Sequence, residues 1–220
     1  VIIPALFNDD NYPGNNSYDW RVPRTTVPTD NAVVKIVSGP FTSVSDPFIL
    51  RGMRITQPLE GDVWDVGTLQ ALTWKYAGVS VDAKGTIDLS LDGGSTFPHM
   101  LDPSYDLISV PFFPWSIDPD LTPTTSAVAR LLITSSGVPE DVGMEVLSDV
   151  FTLRGIKILN PLQGDIVLLG STNMIEFVAA DAGATATILY SADGGANFDP
   201  DPIVAHTPIV NGSNSYAWVV

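Results

Sequence analysis

The sequence predicts an all-β chain of tandem two-sheet sandwiches, and three observations predict it. A block of residues recurs at a fixed interval, short apolar runs alternate with a period of two, and 18 Gly and 18 Pro punctuate the whole length. Ser45-Asp46-Pro47-Phe48-Ile49-Leu50-Arg51-Gly52 returns as Ser148-Asp149-Val150-Phe151-Thr152-Leu153-Arg154-Gly155, 103 residues further on (45 to 148). Ile55, Pro58, Gly61, Asp62 and Gly67 return at the same offset as Ile158, Pro161, Gly164, Asp165 and Gly170. Collinear matches of this kind mark a repeat architecture.

Taken in chain order, residues 1–51 read as the closing part of one repeat, because Ser17-Tyr18-Asp19-Trp20 resembles the segments around Trp115 and Trp218. Ala32-Val33-Val34-Lys35-Ile36-Val37-Ser38 then matches Ala129 to Ser135. Residues 52–154 form a complete repeat. Within it Gln70, Leu72 and Trp74 alternate against Leu69, Ala71 and Thr73, and Thr86 to Ser90 alternates as well, the spacing of half-buried strands. Asp92-Gly93-Gly94 supplies residues for a tight turn with positive φ. About seven such strands in roughly 100 residues indicate an immunoglobulin-like β-sandwich. Residues 155–220 begin another copy, with Phe177 for Trp74, Asp193-Gly194-Gly195 for the turn, and Trp218 for Trp115. This copy lacks any equivalent of Ala127 to Leu153. Its missing strands are expected either from a neighbouring molecule by strand addition or from further residues of a longer chain.

Composition narrows the function. The chain carries 25 Asp plus Glu against 10 Lys plus Arg, a formal charge of −15, which opposes nucleic acid and anionic lipid as partners. No apolar window reaches 18 residues, so no membrane insertion by this segment is expected. No basic stretch stands before the first apolar run, so no signal peptide is read. Without cysteine there is neither a disulfide framework nor a thiolate metal site, and sheet packing must supply stability.

The ordered motifs resemble a known family. Ile-x-x-Pro-x-x-Gly-Asp from Ile55, the Gly67-to-Trp74 spacing, Asp92-Gly93-Gly94, the Trp strand and Ser148-Asp149-x-Phe151-x-Leu153 look like the Ser/Thr-rich, GPI-anchored repeat associated with fungal cell-wall glucan assembly, which also occurs in tandem in bacterial surface proteins. The resemblance implies an immunoglobulin-like sandwich in a secreted or wall-associated protein, extracellular or at the cell surface, without a catalytic site. This chain departs from it in having no long Ser/Thr tract and no hydrophobic anchoring tail.

Signals for chemistry are weak. Ser90-x-Asp92-x-Gly94-x-Thr96-Phe97 and Ser191-x-Asp193-x-Gly195-x-Asn197-Phe198 resemble the Asp-box of sialidase-like propellers. There the carboxylate caps backbone N–H groups, a structural role. A repeat of this length does not fit propeller blades of roughly 40–50 residues. Asp92, Gly93, Gly94, Asp193, Gly194 and Gly195 are therefore read as turn-forming. His99 and His206 stand without a partner at metal-ligand spacing and are read as loop histidines; no nucleophile elbow is present. No cofactor and no dedicated metal site are expected, although the oxygens of Asn8-Asp9-Asp10-Asn11 and Asp199-Pro200-Asp201 would suit calcium. Asn15 and Asn211 open glycosylation sequons.

Three functions fit. The first is a non-catalytic stalk, fibre or filament segment, self-associating with identical subunits. The second is an accessory module binding cell-wall polysaccharide, with Trp64, Phe112 and Phe113 as candidate glycan contacts, which requires those rings to be exposed. The third is an accessory repeat of a larger secreted enzyme.

Overall fold

The computed structural model describes residues 17–23 and 25–220. Its regular structure is seventeen strands and one short 3₁₀ turn, Pro139–Asp141. The leading segment holds β1 (Thr29–Ala32), β2 (Lys35–Ser38), β3 (Phe41–Val44) and β4 (Phe48–Leu50). The complete repeat holds β5 (Gly52–Gln57), β6 (Val63–Asp65), β7 (Leu69–Ala77), β8 (Lys84–Ser90), β9 (His99–Asp106), β10 (Phe112–Ser116), β11 (Thr124–Ser135) and β12 (Glu145–Leu147). The closing repeat is entered along β13 (Phe151–Asn160) and continues through β14 (Thr172–Ala180), β15 (Thr185–Ile188), β16 (Val204–Pro208) and β17 (Gly212–Val219).

Two sheets enclose the larger core. One has the order β10-β7-β5, and the other places β8 between β9 and β11. The period-two pattern decides which side chains face between them. Leu72 and Trp74 point in and Leu69 points out, 0%, 3% and 70% exposed. Ile87 and Leu89 of β8, and Ala129, Leu131 and Ile133 of β11, close the core from the opposite sheet. The Trp74 indole N–H donates to the Leu107 carbonyl at 2.6 Å, so this buried ring leaves no polar atom unpaired. The fold is an all-β, immunoglobulin-like sandwich.

The closing repeat has a smaller core of Ile175, Phe177, Ala179 and Ile209, with Ile188 and Trp218 packed against it. Its sheet β17-β14-β13 follows the pattern of β10-β7-β5 and its hairpin β15-β16 follows that of β8-β9. Among the described residues nothing pairs with the outer edge of β15, the edge that β11 occupies on β8.

The turns recur in atomic detail. Leu59 N–H donates to the Asp62 carboxylate at 2.8 Å, and Leu162 N–H to Asp165 at 2.7 Å. Gly67 N–H donates to the Ile117 carbonyl at 3.1 Å, and Gly170 N–H to Val220 at 2.7 Å.

Candidate functional site

The features that recur, and the places where the recurrence stops, single out the junction between repeats. At its centre is β13, ten residues long and shared by both repeats. Its first half pairs antiparallel with β11 and parallel with β6, through Thr152↔Val63, Leu153↔Trp64 and Arg154↔Asp65. Its second half pairs with β14. One hydrogen-bonded sheet, β9-β8-β11-β13-β14-β17, therefore runs through both repeats. Arg154 clamps the crossing: Nε and Nη2 donate to the two Asp65 oxygens at 2.5 and 3.0 Å. That hydrogen bonding, chiefly, holds the Asp65 carboxyl below its ordinary range. Lys157 donates to the Asp120 carbonyl.

The leading segment is built on the same plan. Thr29↔Leu50 and Ala32↔Phe48 reproduce Thr124↔Leu153 and Ala127↔Phe151, with the same irregularity between the two pairs. Lys35↔Val44 and Ile36↔Ser43 reproduce Arg130↔Leu147 and Leu131↔Val146. Val34 N–H donates to Ser45 Oγ at 3.0 Å and Ser45 N–H to the Val34 carbonyl at 2.9 Å; for Ala129 and Ser148 the distances are 2.9 and 2.8 Å. Val34, not Ala32, is thus the counterpart of Ala129. The sequence match was two residues out of register because Gly39-Pro40 replaces the longer connection that carries Pro139–Asp141.

The two Asp-boxes are likewise copies. Ser90 Oγ donates to Asp92 at 2.6 Å and accepts from Gly94 N–H at 2.8 Å. Thr96 N–H and Oγ1 donate to the same carboxylate at 2.9 and 2.7 Å. Likewise Ser191 Oγ donates to Asp193 at 2.6 Å and accepts from Gly195 N–H at 2.9 Å, and Asn197 N–H and Nδ2 donate to that carboxylate at 2.9 and 2.7 Å. Gly93 and Gly94 sit at φ 76° and 86°, and Gly194 and Gly195 at 74° and 89°. The first box is not a tight hairpin, however, but a loop over residues 91–98 between β8 and β9. It is pinned to β11 by Gly93 N–H donating to the Ser126 carbonyl at 2.8 Å, and Arg130 stacks on Phe97 at 4.2 Å. Among the described residues the second box has no such floor, and Phe198 is 56% exposed.

Both box carboxylates titrate at about 2, below the ordinary 3.8, chiefly through the serine hydroxyl and then the backbone N–H of Thr96 or Asn197. A folded pKa below the unfolded one stabilises the fold above the unfolded value, and the benefit is lost as pH falls through the folded value. Thermal melts from about pH 5 to pH 2 should therefore show a steep acid slope in that window. Asp92→Asn should lower the melting temperature at the upper end and flatten the slope. Parallel curves for the two proteins would refute this role.

The aromatic candidates separate. Trp64 is only 8% exposed and packs on Phe151 and Trp115, with ring centroids at 5.1 and 6.1 Å. A buried indole cannot stack on a sugar, so Trp64 is corrected to a core residue, drawn in by the pairing of β6 with β13. Phe113 is half-buried, edge-on to Tyr105 at 5.3 Å. Phe112 is exposed and lines a shallow groove with Gln57, Leu69 and Gln70. His99 opens β9 and His206 lies within β16, so both are strand rather than loop residues. Asp199 Oδ1 accepts the Asp201 N–H at 3.0 Å in a turn. Asn211 is exposed, its Oδ1 accepting from Asp181 N–H at 2.8 Å. Asn15 and the Asn8 to Asn11 cluster lie outside the described residues.

Sequence reasoning missed two buried carboxylates. Asp141 is fully buried and accepts from Arg51 at 2.5 Å, Ser80 N–H at 3.0 Å and Ser136 Oγ at 2.9 Å. Burial pushes its pKa up, but these donors bring it below the ordinary range. Asp88, 2% exposed, accepts from Arg130 Nη2 at 2.9 Å and from Thr86 Oγ1 at 2.8 Å. Neither has a motif, because the arginine that pairs with each lies far along the chain, Arg51 for Asp141 and Arg130 for Asp88.

No protein-family model matches the chain, and no curated protein does. A solved structure described as fibronectin(III)-like modules of Clostridium thermocellum CbhA is similar over 76% of this chain and 78% of its own, at 13% identity and a TM-score of 0.25. A likeness that distant carries no argument.

Proposed function

We propose that this chain is a non-catalytic, extracellular structural segment, a length of stalk or fibre whose repeats set distance from a cell surface. The observation that carries the reading is β13, whose ladder passes from one repeat into the next without a linker. A flexible joint would need exposed backbone free to rotate. Here every turn about the junction would have to break strand pairing and the Arg154–Asp65 fork. The Asp92 carboxylate supports the non-enzyme reading as a turn-forming group, its oxygens occupied by Ser90 and Thr96. Membership of the glucan-assembly repeat family is part of this proposal, on the motifs alone.

Inserting Gly-Ser-Gly-Ser between Arg154 and Gly155 tests the reading. Small-angle scattering of the parent should give one narrow, elongated distance distribution, and the insertion should broaden it. Superimposable curves would sink the rigid-stalk idea. The groove at Phe112 favours a second reading, a carbohydrate-binding accessory module. Sedimentation with insoluble β-glucan, lost on Phe112→Ala, would favour it over the stalk.

A further inference from the structure

We infer that the groove between β5, β7 and β10 binds an uncharged polysaccharide, held by the Phe112 ring and by the carboxamides of Gln57 and Gln70. The inference rests on the carbohydrate-binding reading and names the ligand class and its contacts. Every residue lining the groove belongs to the complete repeat. The groove opens where β5 ends. β5 pairs with β7 from Thr73 to Ala77, which leaves Leu69 to Ala71 without a neighbour on that side among the described residues. Gln57, the last residue of β5, and Gln70 line it together with Leu69, Phe112 and Pro114, and the buried Trp64 backs it. The space is about 390 Å³, within the usual range for a small-molecule site. Phe112 stands opposite Thr73 and so shares the outward face of the sheet with Leu69.

The lining selects the chemistry. No ionisable side chain lines the groove, in a chain whose formal charge is −15. A phosphate, sulfate or carboxylate would meet no cation there, and an ammonium group no carboxylate. What the groove presents is two neutral carboxamides, each both donor and acceptor, beside an aromatic ring. Gln57 is exposed. Gln70 Nε2 donates to Thr68 Oγ1 at 3.3 Å, which leaves the Gln70 carbonyl oxygen to accept from a ligand. The hydroxyls of a pyranose both donate and accept, and its C–H face packs on an aromatic ring. The ring is held in place beforehand: Tyr105 OH donates to the Phe112 carbonyl at 2.6 Å, and Phe113 packs edge-on to Tyr105. Little ordering is then left for the ligand to drive.

The closing repeat shows which of these features the fold requires. Both carboxamides recur there as Asn160 and Asn173, and Asn173 Nδ2 donates to Ser171 Oγ at 2.8 Å as Gln70 does to Thr68. Phe112 and Leu69 do not recur. Ser215 stands opposite Glu176 where Phe112 stands opposite Thr73, and Thr172 takes the place of Leu69. The same sheet therefore forms without that ring and leucine, and their contiguous exposure in the complete repeat marks a contact surface. An extended peptide is served less well. β10 is an edge strand, but Pro114 has no N–H to give, and the bare stretch of β7 is shorter than the roughly five residues of an ordinary strand.

Affinity electrophoresis of the intact chain, in gels holding a soluble β-glucan, a galactomannan or polygalacturonate, tests the inference. At least one of the two neutral polymers should retard the chain, and polygalacturonate should not. Phe112→Ala should weaken that binding at least about tenfold, and Phe112→Tyr should restore most of it. Gln57→Leu, which keeps bulk but removes the hydrogen bonds, should weaken it by about three- to tenfold. Phe112 and Gln57 are both exposed, so each melting temperature should stay within about 2 °C of the parent. Retardation by polygalacturonate alone, or by a neutral polymer but indifferent to both Phe112→Ala and Gln57→Leu, would overturn the inference and leave the carbohydrate-binding reading standing. Capture of extended peptides from a phage-displayed library, abolished by Phe112→Ala, would overturn it in favour of a peptide groove. A chain retarded by none of the three polymers would sink both the inference and the reading beneath it, leaving the stalk.

Discussion

Phe151→Ala should lower the unfolding free energy of the complete repeat by about 3–5 kcal/mol, the usual range for removing a buried aromatic ring. Phe151 is 1% exposed, in contact with Trp64 and directly across from Ala127. The small Ala127 side chain cannot fill the vacated volume, and the neighbouring backbone is held by pairing on both sides, so collapse is resisted. The comparison that isolates packing from local sequence is Phe48→Ala. Phe48 occupies the same register opposite Ala32 but is only half-buried. In a dilute, monomeric chain its removal should cost under about 1 kcal/mol. Urea titrations followed by tryptophan fluorescence read both, since Trp64 reports on the first site. Equal losses would mean that Phe151 is not the keystone of the junction.

That pair of phenylalanines shows how much was legible in the sequence. The recurrence of Ser-Asp-x-Phe-x-Leu announced the repeat, and alternation around Leu72 and Trp74 announced the sheets, because both signals are local. The boxes at Asp92 and Asp193 were legible for the same reason: every donor lies within four residues of the carboxylate. What failed depended on distant strands. Trp64 follows a turn and has no alternating neighbours, so nothing local signals that β6 will be captured by a strand almost ninety residues later (64 to 153). Asp141 and Asp88 read as surface acids until Arg51 and Arg130 are brought to them. The register of the leading segment was misread by two residues, a shift that keeps the same face inward. The hydrophobic pattern therefore could not detect the slip; only the paired bonds of Val34 with Ser45 could.

Gly85→Val should cost about 3 kcal/mol or more and uncouple the sheet that β8 shares with β11. Gly85 has no unusual φ; its need is for space. A Cβ built there would lie 2.1 Å from the Leu132 carbonyl oxygen and 2.7 Å from Leu107 Cδ1. The first of these is backbone, so no rotamer change relieves it. Either β11 moves off β8, losing ladder bonds at Lys84 to Thr86, or the bulge between Ile133 and Ser135 spreads toward Asp141. Overpacking of this kind costs about 1–3 kcal/mol by itself, and each broken bond about one more. Gly85→Ala should already show most of the loss, since the clash is with Cβ. The closing repeat supplies the control within the same chain. Its counterpart, Ala186, carries a Cβ without strain because, among the described residues, no strand stands on that edge of β15. Ala186→Gly should leave the melting temperature within about 1 °C, or lower it slightly through added chain entropy. Amide exchange gives the sharper reading. In Gly85→Val, protection should fall at Thr86 and Ile133 while β14 and β17 keep theirs. Uniform loss along both repeats would show instead that the shared sheet unfolds as one unit.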